Sequence, residues 1–161
     1  MFRGTHEAKV DEKGRLKLPA DFMKIVQDKN YGVQFFITSR DGNSVEIWPL
    51  PEWEKEEEKK AALPEDDEAK IAWMEVVNHF GQQVEIDKQD RLMLPRILRD
   101  RFSLVNEEVA VTGLQKFLKL RSQQTADQSV EGLLAKSESA KAITMAEAQQ
   151  RLAAREAVKL S

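Results

Sequence analysis

Lys9, Asp11, Lys13, Arg15 and Lys17 stand at every second position near the start of the chain. In an extended strand alternate side chains share a face, so these five would line one side while Val10, Leu16 and Leu18 line the other. One face is then basic and the opposite face builds a core. A two-stranded ribbon with such a face fits the major groove of B-form DNA, where Arg and Lys reach guanine edges or neutralise phosphates. Arg15 is the first candidate for base contact, with Arg3, Lys9, Lys13 and Lys17 serving phosphates or the groove. Residues 1–20 hold these five cations against Glu7, Asp11 and Glu12, a modest excess, so tight binding calls for several subunits acting together. Asp11 reads as a turn brace, because a carboxylate aimed at phosphate is repelled, whereas at a turn it accepts backbone N–H groups and pairs with Arg15. Gly14 implies a tight turn or bulge inside the run, which re-aims the side chains beside it.

The same unit occurs twice. Val10–Pro19 (VDEKGRLKLP) and Ile86–Pro95 (IDKQDRLMLP) superpose at a constant offset of 76 residues, with Asp11, Arg15, Leu16, Leu18 and Pro19 matched by Asp87, Arg91, Leu92, Leu94 and Pro95. Asp87 takes the structural role given to Asp11. Gln89 and Met93 replace Lys13 and Lys17, so the second copy has lost most of its positive face and reads as more structural; Arg91 is left ambiguous between DNA contact and assembly. After each Pro a short helix precedes a β-rich run, 33–38 in copy one and 108–112 in copy two. A closing strand follows at 45–48, after the Asp41-Gly42 turn signal, and at 116–120, after Gly113.

Between the copies, residues 51–80 turn helical, with Pro51 and Pro64 near helix starts and Gly81 as a stop. Ile71, Met74, Val77 and Phe80, joined by Trp73, form an apolar stripe expected to be core or interface. Residues 52–70 carry nine acidic side chains against four lysines, a solvated face expected to point away from DNA. After Arg121 a Ser-, Gln- and Ala-rich stretch reads as a linker, followed by a helix in which Thr144 and Glu147 have capping-box spacing. The expected organisation is a first β-domain at 5–51, a helical connector at 52–80, a second β-domain at 81–123 and a flexible or helical tail at 124–161.

Composition narrows the chemistry. The chain has no cysteine, and His6 and His79 lack metal-binding spacing, so neither a metal nor a cofactor is expected. No phosphate-cradling Gly loop and no nucleophile paired with a His is found, so an enzyme with a small-molecule substrate is the least favoured class. No run of about 18 apolar residues exists and the start lacks an apolar signal stretch, so a cytoplasmic protein without a membrane partner is expected. A net charge of -3 and an isoelectric point near 5.6 argue against nonspecific polyanion binding, leaving DNA contact to a local patch.

The opening Met1-Phe2-Arg3-Gly4, the motif Asp11-x-Lys13-Gly14-Arg15-Leu16 with Pro19, the run Trp48-Pro49-Leu50-Pro51-x-Trp53, and the second motif Asp87-x-x-x-Arg91-Leu92 with Pro95 resemble the MraZ family. The resemblance implies an α+β, mainly β fold: a tandem, pseudo-symmetric swapped-hairpin β-barrel of AbrB type, with flanking helices and a C-terminal helical tail. It further implies a nucleoid-associated transcriptional regulator, usually a repressor, that binds double-stranded DNA at direct repeats in the promoter of the division and cell-wall gene cluster, its own gene included. A ring-shaped homo-oligomer is implied as well. Asp90 stands where the family usually has Gly, and a non-Gly residue at positive φ costs energy. Two other functions stay open: an antitoxin-type module whose C-terminal helix wraps a toxin enzyme, and a structural ring subunit without DNA affinity.

Overall fold

The computed structural model describes residues 1–136 and 138–160, with side chains described for 1–136 and 145–158. It falls into two compact units, Met1–Gln123 and Gln124–Ser161. The first is an α+β unit with eight strands: β1 (Thr5–Lys9), β2 (Arg15–Lys17), β3 (Gln34–Thr38), β4 (Val45–Pro49), β5 (Gln82–Glu85), β6 (Arg91–Met93), β7 (Glu108–Leu114) and β8 (Phe117–Ser122). Four helices interleave with them: α1 (Ala20–Asp28), α2 (Leu50–Ala61), α3 (Glu68–Phe80) and α4 (Arg96–Phe102).

Both copies contribute to one antiparallel sheet, in the order β1-β7-β8-β4-β3-β5. The hairpin β3–β4 of copy one pairs with β5 of copy two, Phe35 opposite Val84, and the hairpin β7–β8 of copy two pairs with β1 of copy one, Ala8 opposite Val109. The two hairpins meet through β4 and β8, where Ile47 faces Leu118. Alternation explains the single core below: Phe35, Ile37, Val45, Ile47, Val109, Val111, Leu118 and Leu120 all point the same way and are fully or almost fully buried, joined by Phe22 and Leu98 from α1 and α4. The sheet does not close into a barrel among the described residues. β1 and β5 are its free edges, and β2 pairs with β6 in a separate two-stranded sheet. The cause is local: turns at 11–14 and 87–90 interrupt each copy after its first strand and leave second strands of only three residues.

The repeat is exact at its hinge. Pro19 and Pro95 precede α1 and α4 with nearly equal dihedrals, φ -54°, ψ 141° and φ -55°, ψ 136°, their fixed ring preparing the extended-to-helix change. The connector departs from a purely solvated reading. Glu52 is buried and accepts hydrogen bonds from Tyr31 (3.2 Å) and Lys55 (3.2 Å), since α2 turns its first residues onto the core. In α3 only Val77 of the predicted stripe is fully buried, its carbonyl accepting from Thr38 Oγ1 at 2.7 Å, while Ile71 and Met74 remain more than a third exposed.

A second aromatic core lies around Trp48 and Trp53. Trp48 stacks on Phe117 (centroids 4.4 Å apart) and Trp53 stacks on both Phe36 and Trp73. Beside them Glu46, buried, accepts from Arg40 Nε at 2.7 Å and Trp48 Nε1 at 3.0 Å, and the Arg40 guanidinium lies about 5 Å from the Trp48 and Phe117 rings.

The second unit is helical: α5 (Gln123–Ala135) and α6 (Glu138–Leu160). The stretch read as a linker is therefore helix, because its Ser, Gln and Ala residues are helix-compatible and no Pro interrupts it. Thr144 does not cap a helix start, since α6 already begins at Glu138; its side chain lies outside the described residues.

Candidate nucleic-acid interface

The alternating run Lys9–Lys17 is not one strand. Asp11 and Gly14 close a turn through Gly14 N to Asp11 O (3.0 Å), and the chain returns so that Asp11 N meets Arg15 O (2.9 Å). Gly14 takes φ +85°, the left-handed region that favours glycine. Within the turn the Asp11 carboxylate collects three donors: Oδ1 accepts from the N–H groups of Lys13 (3.0 Å) and Arg15 (2.8 Å), and Oδ2 accepts from Arg15 Nε (2.8 Å). Asp11 is a turn brace, as its chemistry suggests, and so it cannot share an outward face with Lys9 and Lys17.

The second turn is its copy. Asp87 accepts from Gln89 N (2.9 Å), Arg91 N (2.9 Å) and Arg91 Nε (2.8 Å), and Asp90 holds φ +61° where Gly14 stands in copy one. Aspartate enters this region at lower cost than most residues, so the turn forms with the same bonds. The turns are also laced to each other's strands: Leu18 N donates to Asp90 O (2.9 Å) and Leu94 N to Gly14 O (3.0 Å).

Pairing of β2 with β6 decides which cations meet. Leu16 faces Leu92, both fully buried, so the flanking residues point outward; Arg15 stands opposite Met93 and Lys17 opposite Arg91. The ribbon is thus built from both copies, not from one. An isolated bridge from Val10 to Leu16 brings the end of β1 beside β2, while Lys9 itself stands opposite Glu108 of β7. Lys17 and Arg91, like charges placed opposite one another, repel, and a polyanion relieves that repulsion. Lys13 projects from the adjoining turn and is exposed. Arg3 is not part of this face: it lies before β1, next to the Phe2–Gln115 bridge, up to about 20 Å of strand away from Lys9.

Each arginine is held by its own aspartate through Nε, which leaves the terminal guanidinium nitrogens of Arg15 and Arg91 free of hydrogen bonds among the described residues. A guanidinium fixed in this way keeps two parallel donors for a guanine edge or a phosphate with little conformational entropy left to lose. The ion pairs are matched in the two copies, so their difference lies in the neighbours: Lys13 and Lys17 in one, Gln89 and Met93 in the other. Sequence reasoning passed over Arg99 on α4, which donates through Nη1 to the Lys13 carbonyl (3.2 Å); the available signal was the three arginines of RILRDRF.

The aspartates carry a pH dependence. Partial burial raises the Asp11 carboxyl, but the N–H donors of Arg15 and Lys13 and the Arg15 guanidinium outweigh it and hold the group below its ordinary value; for Asp87 the backbone N–H of Arg91 dominates in the same direction. A depressed carboxyl contributes stability above the unfolded value of about 3.9 and loses it as pH falls through the folded value. Denaturant unfolding followed from pH 7 to pH 2 is therefore expected to show a loss of stability below about pH 4 that is smaller in Asp11→Asn, with the two proteins converging at the acid end.

Comparison with known proteins comes down on one family. The family model described as "MraZ protein, putative antitoxin-like" matches residues 1–73 and 81–149, one match for each repeat. A protein of Acidobacterium capsulatum named Transcriptional regulator MraZ is 50% identical over 131 residues, which is 81% of this chain and 88% of the relative. Relatives of the same name from Koribacter versatilis (39% identical; 81% of this chain, 88% of the relative) and Moorella thermoacetica (30% identical; 76% and 81%) agree.

Proposed function

The chain belongs to the MraZ family, and from that premise we propose that it is a sequence-specific DNA-binding transcriptional regulator rather than an enzyme. The observation that carries this reading is the outward face of β2 and β6, where Arg15, Lys17 and Arg91 stand over a ribbon anchored by Leu16 and Leu92. Arg15 reads base edges, while Lys9, Lys13 and Lys17 neutralise phosphates. Arg91 serves assembly more than readout, because in copy two Gln89 and Met93 stand where copy one has Lys13 and Lys17, so the cation opposite it is Lys17 of copy one, across the ribbon. Arg3 is a peripheral contact on this reading.

The protein acts as a repressor at direct repeats in the promoter of the division and cell-wall gene cluster, including its own, as a cytoplasmic, nucleoid-associated ring of identical subunits. Among the described residues no helix is long and apolar enough to cross a membrane. The exchange of hairpins between copies, β3–β4 onto β5 and β7–β8 onto β1, supports the swapped-hairpin reading, with β-domains at 5–51 and 81–123 separated by the 52–80 connector and followed by the 124–161 tail. The modest charge excess makes the ring functional: several faces engaged on spaced repeats multiply weak contacts.

The test is a gel-shift titration of the full-length chain on DNA from upstream of its own gene, at physiological salt with competitor. Specific retardation by the protein alone supports a regulator. No shift rejects it and favours the antitoxin-type alternative, which draws on the family description and on exposed Leu133, Leu134 and Leu152 in the C-terminal helices.

A further inference from the structure

We propose that Arg99, carried by the second copy, is a phosphate contact of the first copy's turn, so that each DNA site is composite; this rests on the DNA-binding reading above. The side chain crosses directly over Gly14, which takes φ +85°: a methyl group added there would overlap Cδ and Nη1 of Arg99 and push that side chain off the turn. Nη1 donates to the Lys13 carbonyl at 3.2 Å, which fixes the guanidinium beside the exposed Lys13 and the braced Arg15. Its Nε is buried without a hydrogen-bond partner, so an outside anion meets the terminal nitrogens instead, and no carboxylate lies within ion-pair distance of the group among the described residues. A cation left without an anion, yet held on the turn that bears Lys13, is arranged for an anion supplied from outside.

The pseudo-symmetric position shows what is special. Offset by 76 residues, Arg99 corresponds to Met23, which lines an open groove of about 480 Å³ beside the second turn together with Val26, Ile86, Asp87 and Lys88. The first turn thus gains a cation from across the molecule and the second does not. Copy two, poor in charge on its own strand, contributes instead through α4.

The experiment is a fluorescence-anisotropy titration of full-length wild type, Arg99→Met, Arg99→Lys and Arg15→Ala against upstream DNA over a series of salt concentrations, with oligomer size checked by light scattering. Methionine copies the residue at the equivalent position. Arg99→Met is expected to weaken binding about 10-fold at physiological salt and to lower the slope of log affinity against log salt by about one unit per engaged subunit, while Arg99→Lys retains the slope. An unchanged slope in Arg99→Met overturns the proposal, whether affinity is kept or lost, since loss at constant slope assigns Arg99 to supporting the turn alone. Wild type that binds and Arg15→Ala that does not, beside an unaffected Arg99→Met, defeats this inference only; wild type that fails to bind defeats the DNA-binding reading and this inference with it.

Discussion

Arg15→Ala is expected to lower affinity for upstream DNA by at least about 100-fold while the protein keeps its fold and oligomer size. One bidentate arginine contact discriminates by about 1–3 kcal/mol, and subunits bound to the same duplex compound the loss. The fold survives because the substitution leaves the Arg15 N–H on Asp11 Oδ1 (2.8 Å) and the burial of Leu16 against Leu92 untouched. What disappears is one partly exposed ion pair, a contribution of about 1 kcal/mol or less. Arg91→Ala removes the matching ion pair, yet it is expected to affect DNA less and assembly more. Anisotropy titration and light scattering on both variants check this; equal losses of binding in folded proteins would contradict the division of labour.

Trp48→Ala carries the largest expected effect on stability, about 3–5 kcal/mol. The indole is 2% exposed, stacks on Phe117, meets Trp53 edge-on with centroids 5.4 Å apart, and donates to the buried Glu46. Truncation leaves a cavity between Phe117 and Trp53 on the face of the sheet and strips Glu46 of one of its two donors, so the cavity cost and the polar cost add. A fall of the melting temperature on the order of 10–20 °C follows for a unit of this size. Trp48→Phe should fall between, keeping a ring for the stack but no N–H for Glu46. Thermal unfolding by circular dichroism measures all three, and a loss under about 1 kcal/mol in Trp48→Ala would show that the aromatic cluster repacks freely.

Much of this was legible in the sequence. The 76-residue offset exposed the repeat, the β-rich runs marked both hairpins, and the chemistry of Asp11 pointed to the turn donors it accepts. Pairing partners were not legible, because alternation reports which face a residue takes and never which strand lies beside it. That is why Lys9–Lys17 read as one basic face, although the turn at Asp11–Gly14 divides it and β6 of the other copy completes it. Arg40, Glu46 and Trp48 gave no warning either: a charged residue among apolar strand positions looks solvated until a guanidinium six residues away is found against it. Arg99 belongs to the same class, being a helix arginine whose meaning depends on a glycine 85 positions earlier.

The central claim is that the first copy's turn meets the DNA, and photocrosslinking tests it most directly. A photoreactive residue is placed at Lys13 or at its counterpart Gln89 in the full-length protein, which is bound to upstream DNA and irradiated. Crosslinks from position 13, with few from position 89, are the predicted result. Equal crosslinking from 89, or none from 13 in protein that still binds, would contradict the account.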